Sequence, residues 1–492
     1  MSISAVPAAT APLHNFIDGR WQPALATETL EDRDPASGEL IAQVPLSGAE
    51  DVDAAVTVAA GAAEAWRSTP PQQRARALFA LRGLLVEHRE ELAQLVTQDM
   101  GKTLDDARAE VGRGIESVEA ACAVPHLMKG ENLEGVARAL DVEMVRQPVG
   151  VVAAITPFNF PVMIPLWFLP YALATGNTLV LKPSEQDPLP SRRLIELASE
   201  VDELPAGVVN LVHGGRSAVD ALLEHPRVDA VSFVGSTATA RHIAARATAT
   251  GKRVQALGGA KNSMILMPDA DPQLMISGLL GSAFGAAGQR CLAGSVAVLV
   301  GTPEQQRATQ ERIVAAAGEL RCGAGADPDT DVCPLVNSAS RVRLDGEIDA
   351  ALAAGAELVL DGRVPDGGEA GTLLGATIID GLEPESRWLR EELFGPLLCL
   401  VRAPDLDAAI DWVNASRYGN SAIIFTSAGR SARRFRERVQ AGMLGVNVGV
   451  AAPVAWFPFA GWKDSFAGAL HANGNDAFEF YTRKKVVTTR WS

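Results

Sequence analysis

The sequence predicts an α/β protein with two Rossmann-like α/β domains and a pair of β arms. Three observations predict this class. Short β-branched runs alternate with helical patterns in the first half of the chain, and a second alternating set follows in the second half. In addition, two strand-like segments stand far apart in the sequence. The length of 492 residues suits two large domains, or about three domains of ~150 residues each.

Beyond the first 50 residues, apolar residues at helical spacings predict helices over residues 51–66, 72–96 and 104–123. The pattern then changes to short β-branched runs at residues 150–155, 178–182, 208–212 and 228–234. Helical patterns separate these runs at residues 166–175, 191–201, 218–224 and 238–248. Strands that alternate with helices of this length predict βαβ units, with a parallel sheet covered on both faces.

The second alternating set spans residues 264–446, with strands predicted near residues 295–300, 397–402 and 421–426. The two isolated segments, 140–146 and 485–491, alternate like half-exposed strands. An unpaired strand edge invites association, so we expect these segments to pair with each other or with a second subunit. A surface hairpin and a frayed tail would give the same pattern.

Charge and cysteine content narrow the class of protein. The net charge is −15, which repels nucleic acid and anionic lipid, so neither is expected as a partner. The five cysteines form an odd and sparse set that favours a reducing compartment. Residues 1–13 lack the pattern of a secretory signal, and the longest apolar stretch, 162–174, is interrupted by prolines. We therefore expect a cytoplasmic protein without a membrane span.

One segment draws attention to a single cysteine. Residues 284–291 read F-G-A-A-G-Q-R-C and lie between a helical pattern and an apolar strand. Loop amides or Arg290 could lower the pKa of the Cys291 thiol from about 8.5. The alternative is a buried cysteine that packs as a small hydrophobic residue. The seven histidines are scattered, so no metal site is expected.

Six motifs in order give the chain a wider resemblance. They are P-F-N-F-P at 157–161, A-L-A-T-G-N-T-L-V-L-K-P-S-E at 172–185, F-V-G-S-T at 233–237, L-G-G at 257–259, G-Q-R-C at 288–291 and E-E-L-F-G-P at 391–396. With these motifs the chain resembles the aldehyde dehydrogenase superfamily from Phe16 to Trp491. The resemblance implies the aldehyde dehydrogenase fold and oxidation of a small aldehyde.

The resemblance also implies roles for individual residues. Cys291 would be the nucleophile that attacks the aldehyde carbon. The side chain of Asn159 would join the Cys291 backbone amide in holding the oxyanion. The alternative for Asn159 is a cap on the following helix.

The cofactor implied by the resemblance is NAD. Glu185 at the ribose would repel a 2′-phosphate, which favours NAD over NADP, and the helix opened by Gly235 and Ser236 suits a pyrophosphate. From pattern alone, Lys182 and Glu185 could equally be a solvated helix start, and Glu392 and Phe394 a loop acid and a core aromatic. The expected cofactor-binding set is Thr156, Phe158, Lys182, Ser184, Glu185, Gly235, Ser236, Leu257, Glu392 and Phe394.

One departure from the general family pattern concerns the base that activates water. The usual E-L-G-G is replaced by A-L-G-G, and the alanine at position 256 cannot act as a base. An acyl enzyme that water attacks slowly can wait for a thiol. This departure is shared by the CoA-acylating methylmalonate-semialdehyde dehydrogenases, which the chain also resembles at residues 251–262, 267–271 and 481–491. Coenzyme A is therefore the expected co-substrate.

That branch handles an aldehyde that carries a carboxylate. Arg113 and Arg290 match the positions that hold this group, and arginine grips a carboxylate bidentately. The alternative for Arg113 is an ion pair with Glu110 or Glu116 at helical spacing. Ser263 and residues 460–469 depart from the branch pattern, which leaves the identity of the aldehyde open.

The predicted function is NAD-dependent, CoA-acylating oxidation of methylmalonate or malonate semialdehyde. The alternatives are a hydrolytic dehydrogenase for another short anionic aldehyde and a catalytically silent NAD-binding member of the fold. The predicted domains are an NAD-binding domain (1–127 and 149–257), a catalytic domain (258–469) and an oligomerisation arm (128–148 and 470–492). The family suggests a homo-oligomer, either a dimer or a tetramer.

Overall fold

The computed structural model describes residues 11–364 and 367–491. The prediction that residues 1–13 carry no signal segment therefore falls mostly outside the described residues. The strands, in chain order, are β1 His14–Ile17, β2 Arg20–Pro23, β3 Thr29–Arg33, β4 Leu40–Pro45, β5 Glu131–Ala137, β6 Leu140–Pro148, β7 Val151–Ile155, β8 Thr178–Lys182, β9 Val209–Leu211, β10 Ala230–Val234, β11 Arg253–Leu257, β12 Asn262–Leu266, β13 Gly294–Val300, β14 Glu357–Leu360, β15 Thr377–Asp380, β16 Leu397–Ala403, β17 Tyr418–Gly419, β18 Ser421–Phe425, β19 Met443–Val446, β20 Trp462–Lys463, β21 Phe466–Gly468 and β22 Thr482–Arg490.

The helices pack around these strands, and none of those in the described residues combines the length and apolar character needed to cross a bilayer. They are α1 Ala49–Ser68, α2 Pro71–Glu87, α3 Arg89–Met100, α4 Leu104–Ala121, α5 Val124–Leu127, α6 Met163–Ala174, α7 Leu189–Ser199, α8 Arg216–Glu224, α9 Thr237–Ala249, α10 Pro272–Phe284, α11 Pro303–Gly318, α12 Ser338–Ala353, α13 Arg387–Arg390, α14 Leu406–Ala415, α15 Gly429–Arg438 and α16 Gly474–Phe480.

The first sheet has eight strands in the order β2-β1-β9-β8-β7-β10-β11-β21. Its five central strands are parallel, whereas β1 and β21 pair antiparallel at either side. Every residue of β7, β8 and β10 is buried, as expected for parallel strands with helices on both faces. The predicted alternation of strand and helix over residues 150–248 is confirmed.

The second sheet has seven strands in the order β14-β15-β16-β13-β12-β18-β19, parallel except for the edge strand β14. It has a hydrophobic core of its own, which includes Phe284, Leu344 and Phe425. Two α/β layers of this kind confirm the predicted fold class.

The two arm segments, which lie far apart in the sequence, pair with each other, which is one of the two predicted pairings. Strand β22 runs antiparallel to β6, from Thr482 opposite Pro148 to Arg490 opposite Leu140, and β5 adds a third strand. The Trp491 indole donates to Asp141 Oδ2 at 2.6 Å. A role of this sheet in oligomerisation stays a prediction.

The predicted helix over 72–96 is wrong in one respect, because it is two helices that meet at His88. His88 has φ −97° and ψ 17°, and its ring contacts Glu91 at 2.6 Å. The buried leucines at 85 and 92 keep helical spacing across the break, so the apolar pattern could not reveal it. The domain boundaries stay a proposal; β21, inside 258–469, joins the first sheet, and α16, inside 470–492, precedes the arm strand.

A buried ion pair fixes the start of α6 beside the cavity described below. Lys102 Nζ donates to Glu110 Oε2, and both side chains are essentially unexposed. Glu110 Oε1 also accepts from the backbone amides of Val162 and Met163 at 2.9 and 3.1 Å. The Lys102 ammonium stands 3.7 Å from the centre of the Phe160 ring.

Removing one partner of this pair should be costly, because it strands a buried charge. We expect Lys102→Met to destabilise the protein by about 3–5 kcal/mol, measured as a lowered melting temperature. Glu110→Gln added to Lys102→Met keeps an acceptor for the α6 amides and should restore most of the loss. The control is Arg82→Met, which breaks the exposed Arg82–Glu119 pair and should cost below about 1 kcal/mol. Equal losses of stability in Lys102→Met and Arg82→Met would contradict the assignment of Lys102 and Glu110 as a buried charged pair.

Candidate active site

Cys291 lies where two cavities meet. The first cavity is lined mainly by α4, by residues near the start of α6 and by residues 450–459, and it includes Arg113, Arg290 and Trp167. The second cavity lies on the other side of Cys291 and includes Asn159, Glu392 and Phe394. A third cavity shares residues 157, 158 and 234–236 with the second and continues it past Lys182 and Glu185. The sulfur is thus reached from a small pocket on one side and from a long cleft on the other.

The loop that carries Cys291 has an unusual backbone. Ala286 and Ala287 both have φ of +50°, a left-handed conformation that is costly for residues with a Cβ. Gly288 follows at φ +66°, and a Cβ there would lie 2.2 Å from the carbonyl oxygen of Gly395. Only glycine fits this position. The amide of Ala286 donates to Asp106 Oδ2 at 3.0 Å, which ties the loop to α4.

Side-chain amides hold the loop carbonyls. Asn159 Nδ2 donates to the carbonyl of Gln289 at 2.9 Å. Asn262 and Asn420 donate to the carbonyl of Cys291 at 2.9 and 2.8 Å. Neither of these last two residues was predicted to have a role, because nothing in their spacing links them to residue 291. The capping alternative for Asn159 is wrong, since α6 begins at Met163 with Val162 before it.

The expectation of a lowered thiol pKa is also wrong. Burial outweighs the backbone amides of Cys291 and Leu292 and the charge of Arg290, which act in the expected direction. Burial, with a smaller contribution from the charge of Glu392, raises the pKa of the Cys291 thiol to about 12. The cysteine is a protonated thiol at neutral pH in this state.

The far end of the cleft holds the predicted ribose-binding pair. Lys182 ends β8, is 4% exposed, and donates to Glu185 Oε2 at 2.8 Å. A solvated helix start is therefore wrong for Lys182. The carbonyl of Lys182 accepts from the Thr156 amide at 3.1 Å, and Ser184 Oγ accepts from the Gln186 amide at 3.0 Å.

The middle of the cleft is formed by the start of α9. Ser236 caps this helix by accepting from the Thr239 amide, as the predicted helix start required. The Gly235 amide donates to the carbonyl of Leu257 at 3.1 Å. A residue that sequence reasoning missed, Thr237, accepts from the Gly259 amide at 2.9 Å. Helix amides and exposed loop backbone at this point suit a pyrophosphate.

Glu392 and Phe394 stand at the Cys291 end of the cleft. Glu392 Oε1 accepts from the Ala260 amide at 2.9 Å. Burial raises the pKa of Glu392 to about 7, although this amide and the charges of Lys261 and Arg343 oppose the shift. Phe394 has φ +56°, and its ring packs edge-on against Phe158 with centres 5.8 Å apart. A core aromatic is thus too simple an interpretation for Phe394, which lines the cleft.

The two predicted arginines both line the first cavity, but neither is free of protein contacts. Arg113 donates to Glu116 Oε2 at 2.9 Å and to the carbonyls of Ala452 and Pro453 at 3.3 and 3.4 Å. The Glu116 ion pair that was the alternative for Arg113 is therefore present alongside the cavity position. Arg290 donates to the carbonyls of Gly281 and Ser282, and burial lowers the pKa of its guanidinium.

Position 256, where the usual family motif has a glutamate, holds an alanine and so no general base. Ala256 lies on β11, fully buried in the hydrophobic core of the first sheet. Its neighbour Gln255 turns to the other face, where it donates to Ser232 Oγ at 2.8 Å and to the Tyr481 hydroxyl at 3.1 Å. The carboxylate whose charge acts most on the thiol is Glu392.

Comparisons with known proteins agree on one family. The model of the aldehyde dehydrogenase family matches residues 21–487. Malonate-semialdehyde dehydrogenase 1 of Geobacillus kaustophilus is 48% identical over 98% of both chains. Malonate-semialdehyde dehydrogenase of Halalkalibacterium halodurans is 47% identical, over 97% of this chain and 98% of that one.

Solved structures give the same result. Methylmalonate-semialdehyde dehydrogenase from Oceanimonas doudoroffii superposes with a TM-score of 0.95 at 44% identity, over 98% of this chain and 99% of that one. A Sinorhizobium meliloti protein complexed with NAD, described as a methylmalonate-semialdehyde dehydrogenase, also gives 0.95, at 42% identity over 98% of both chains. With its fold, its loop cysteine and these relatives, the chain belongs to the aldehyde dehydrogenase family.

Proposed function

We propose that this protein catalyses NAD-dependent, CoA-acylating oxidation of malonate or methylmalonate semialdehyde. The observation that carries the proposal is Cys291, placed between a cavity containing two arginines and a long cleft. The names of the similar proteins support the substrate class. The products are acetyl-CoA or propionyl-CoA, CO2 and NADH.

The cleft residues fit NAD. Glu185 and Glu392 supply carboxylates at the two ends for ribose hydroxyls, and the start of α9 lies between them. Bound there, NAD supplies the acceptor for the hydride. The acid at Glu185, already paired with Lys182, disfavours a 2′-phosphate.

The chemistry of the chain itself starts at Cys291. Its thiol loses a proton to solvent, and the sulfur then adds to the aldehyde carbon, whose carbonyl oxygen becomes an oxyanion. The Cys291 amide and the Asn159 side-chain amide are the donors for this oxygen, a contribution worth about a hundredfold or more in rate. Hydride loss then leaves an acyl thioester on the sulfur.

The fate of the thioester follows from the missing base at position 256. With the apolar Ala256 in the core, water has no base at that position, and hydrolysis is slow. Loss of the β-carboxylate as CO2 sends its bonding electrons into the thioester carbonyl, and protonation of the resulting enolate gives acetyl or propionyl thioester. The thiol of coenzyme A then displaces Cys291 and carries the acyl group away.

The decisive test is NADH formation from malonate or methylmalonate semialdehyde with NAD, with and without CoA, and identification of the acyl product by mass. We expect turnover to require CoA and to yield acetyl-CoA or propionyl-CoA. Cys291→Ala is the matched control, which should bind NAD but form no NADH. Free acid formed without CoA would make the protein a hydrolytic dehydrogenase instead.

Arg113 should distinguish carboxylated from uncharged aldehydes. We expect Arg113→Leu to raise KM for malonate semialdehyde roughly 10- to 100-fold, because a hydrogen bond to a charged group is lost, and to leave propanal nearly unchanged. Steady-state kinetics on both aldehydes checks this. Glu116→Gln, which keeps the cation, should retain the discrimination. Parallel losses on both substrates would reduce Arg113 to its ion pair with Glu116.

NAD affinity should depend on pH through Glu392. Its pKa is raised to about 7, and ribose hydroxyls donate to the ionised carboxylate, so binding strengthens as pH rises through that value. We expect the Kd for NAD to fall about tenfold between roughly pH 6 and pH 8, measured by calorimetric titration. Glu392→Gln should bind more weakly and lose this dependence. An unchanged pH profile in that variant would assign the titration to another group.

A further inference from the structure

Three successive carbonyls of the nucleophile loop are each held by a donor. The carbonyl of Gln289 accepts from Asn159 and that of Arg290 from the Ala293 amide at 3.0 Å. The carbonyl of Cys291 differs from these because it accepts two side-chain amides, from Asn262 and Asn420. Both asparagines are 3% exposed.

The orientation of the Asn262 amide is fixed by its other partners. Asn262 begins β12, and its Oδ1 accepts from the Ser421 amide at 3.0 Å, so its nitrogen must face the carbonyls of Cys291 and Ala293. Asn420 comes directly before β18, which pairs with β12. The paired strands of the second sheet thus carry two donors to one carbonyl.

That carbonyl belongs to the same peptide group as the Leu292 amide. The Leu292 amide directly follows Cys291 in the chain, and it is one of the two backbone amides that act to lower the pKa of the Cys291 thiol. Hydrogen bonds accepted by a carbonyl polarise its peptide and strengthen the donor on the other side. Two donors on the Cys291 carbonyl oxygen therefore make the Leu292 N–H a stronger donor toward negative charge on the sulfur.

We propose that Asn262 and Asn420 are positioning residues that fix and polarise the Cys291–Leu292 peptide, so that its N–H supports the thiolate. The proposal rests on the assignment of Cys291 as nucleophile in the proposed function. The simpler alternative is that the two asparagines only fasten the loop to the sheet. The charged groups that act on the same sulfur are Glu392, from the loop after α13, and Arg290, from the nucleophile loop itself.

The test is the rate at which iodoacetamide alkylates Cys291 in the full chain without NAD, aldehyde or CoA, followed by mass spectrometry over roughly pH 6 to 10. Asn420→Leu removes the donor but keeps the volume, and Asn262 still satisfies the carbonyl. We expect its alkylation rate to fall about tenfold, in line with the loss of support for a charged group. In turnover, kcat should fall while KM for the aldehyde stays near its original value.

Asn420→Ser separates donor from packing, because it keeps a hydroxyl donor but fills less space. We expect the serine variant to alkylate faster than the leucine variant. Asn177→Ala is the control for losing a buried asparagine, since Asn177 also donates to two carbonyls, Ala172 and Tyr481, far from the loop. The Asn177→Ala variant should have a lower melting temperature and an unchanged rate of Cys291 alkylation.

Alkylation of Asn420→Leu at the original rate, or faster than Asn420→Ser, would overturn the proposal. Should the leucine variant not fold, Asn420→Ala and Asn262→Ala, which also remove the donor, carry the test, with slowed alkylation expected in both and original rates contradicting it. Because no substrate is present, this result is independent of the CoA assay. If the CoA assay gave free acid while Asn420→Leu still slowed alkylation, the CoA-acylating function would be contradicted and the role of the asparagines would stand.

Discussion

The structure depends on holding one loop still between two sheets. Cys291 is reached from a pocket and from a cleft, and most of its loop is buried, so the loop carbonyls need hydrogen-bond donors. Asn159, which follows β7 of the first sheet, and Asn262 and Asn420, from the second, supply these donors. The bond from the Ala286 amide to Asp106 helps to hold the left-handed residues Ala286 and Ala287, whose conformations store strain that the surrounding contacts must offset.

The electrostatics of the site follow from its burial. The Cys291 thiol and the Glu392 carboxyl share the second cavity, and burial raises the pKa of both groups. Ionised Glu392 makes thiolate formation harder. The positive charge of Arg290 offsets this effect only in part, because its guanidinium already donates to two carbonyls of α10. The backbone amides beside the sulfur are therefore the donors whose geometry matters most. A ribose hydroxyl donating to Glu392 would spread the carboxylate charge and so ease ionisation of the thiol.

Sequence patterns predicted most of the scaffold and less of the site. The strands of the first sheet were predictable because each is a short buried run between helices, and the arm pairing because its two segments alternate. The break at His88 was not, since the apolar spacing runs through it. Motifs indicated Cys291, Asn159 and Glu392, but Asn262 and Asn420 meet residue 291 only through the pairing of β12 with β18. The raised thiol pKa was missed for a related reason: spacing shows which donors are near, and burial, which dominates, is a property of the folded chain.

The contacts of Arg113 suit the proposed reaction, in which the substrate carboxylate must leave. An arginine with a free guanidinium would bind a carboxylate with two parallel hydrogen bonds and hold the ground state tightly. Here Glu116 and the carbonyls of Ala452 and Pro453 already share the charge and the donors. Decarboxylation removes the charge that such a grip would stabilise, so a tight hold would deepen the ground state without helping the transition state. An arginine already engaged with the protein can orient the anion and still release it as neutral CO2.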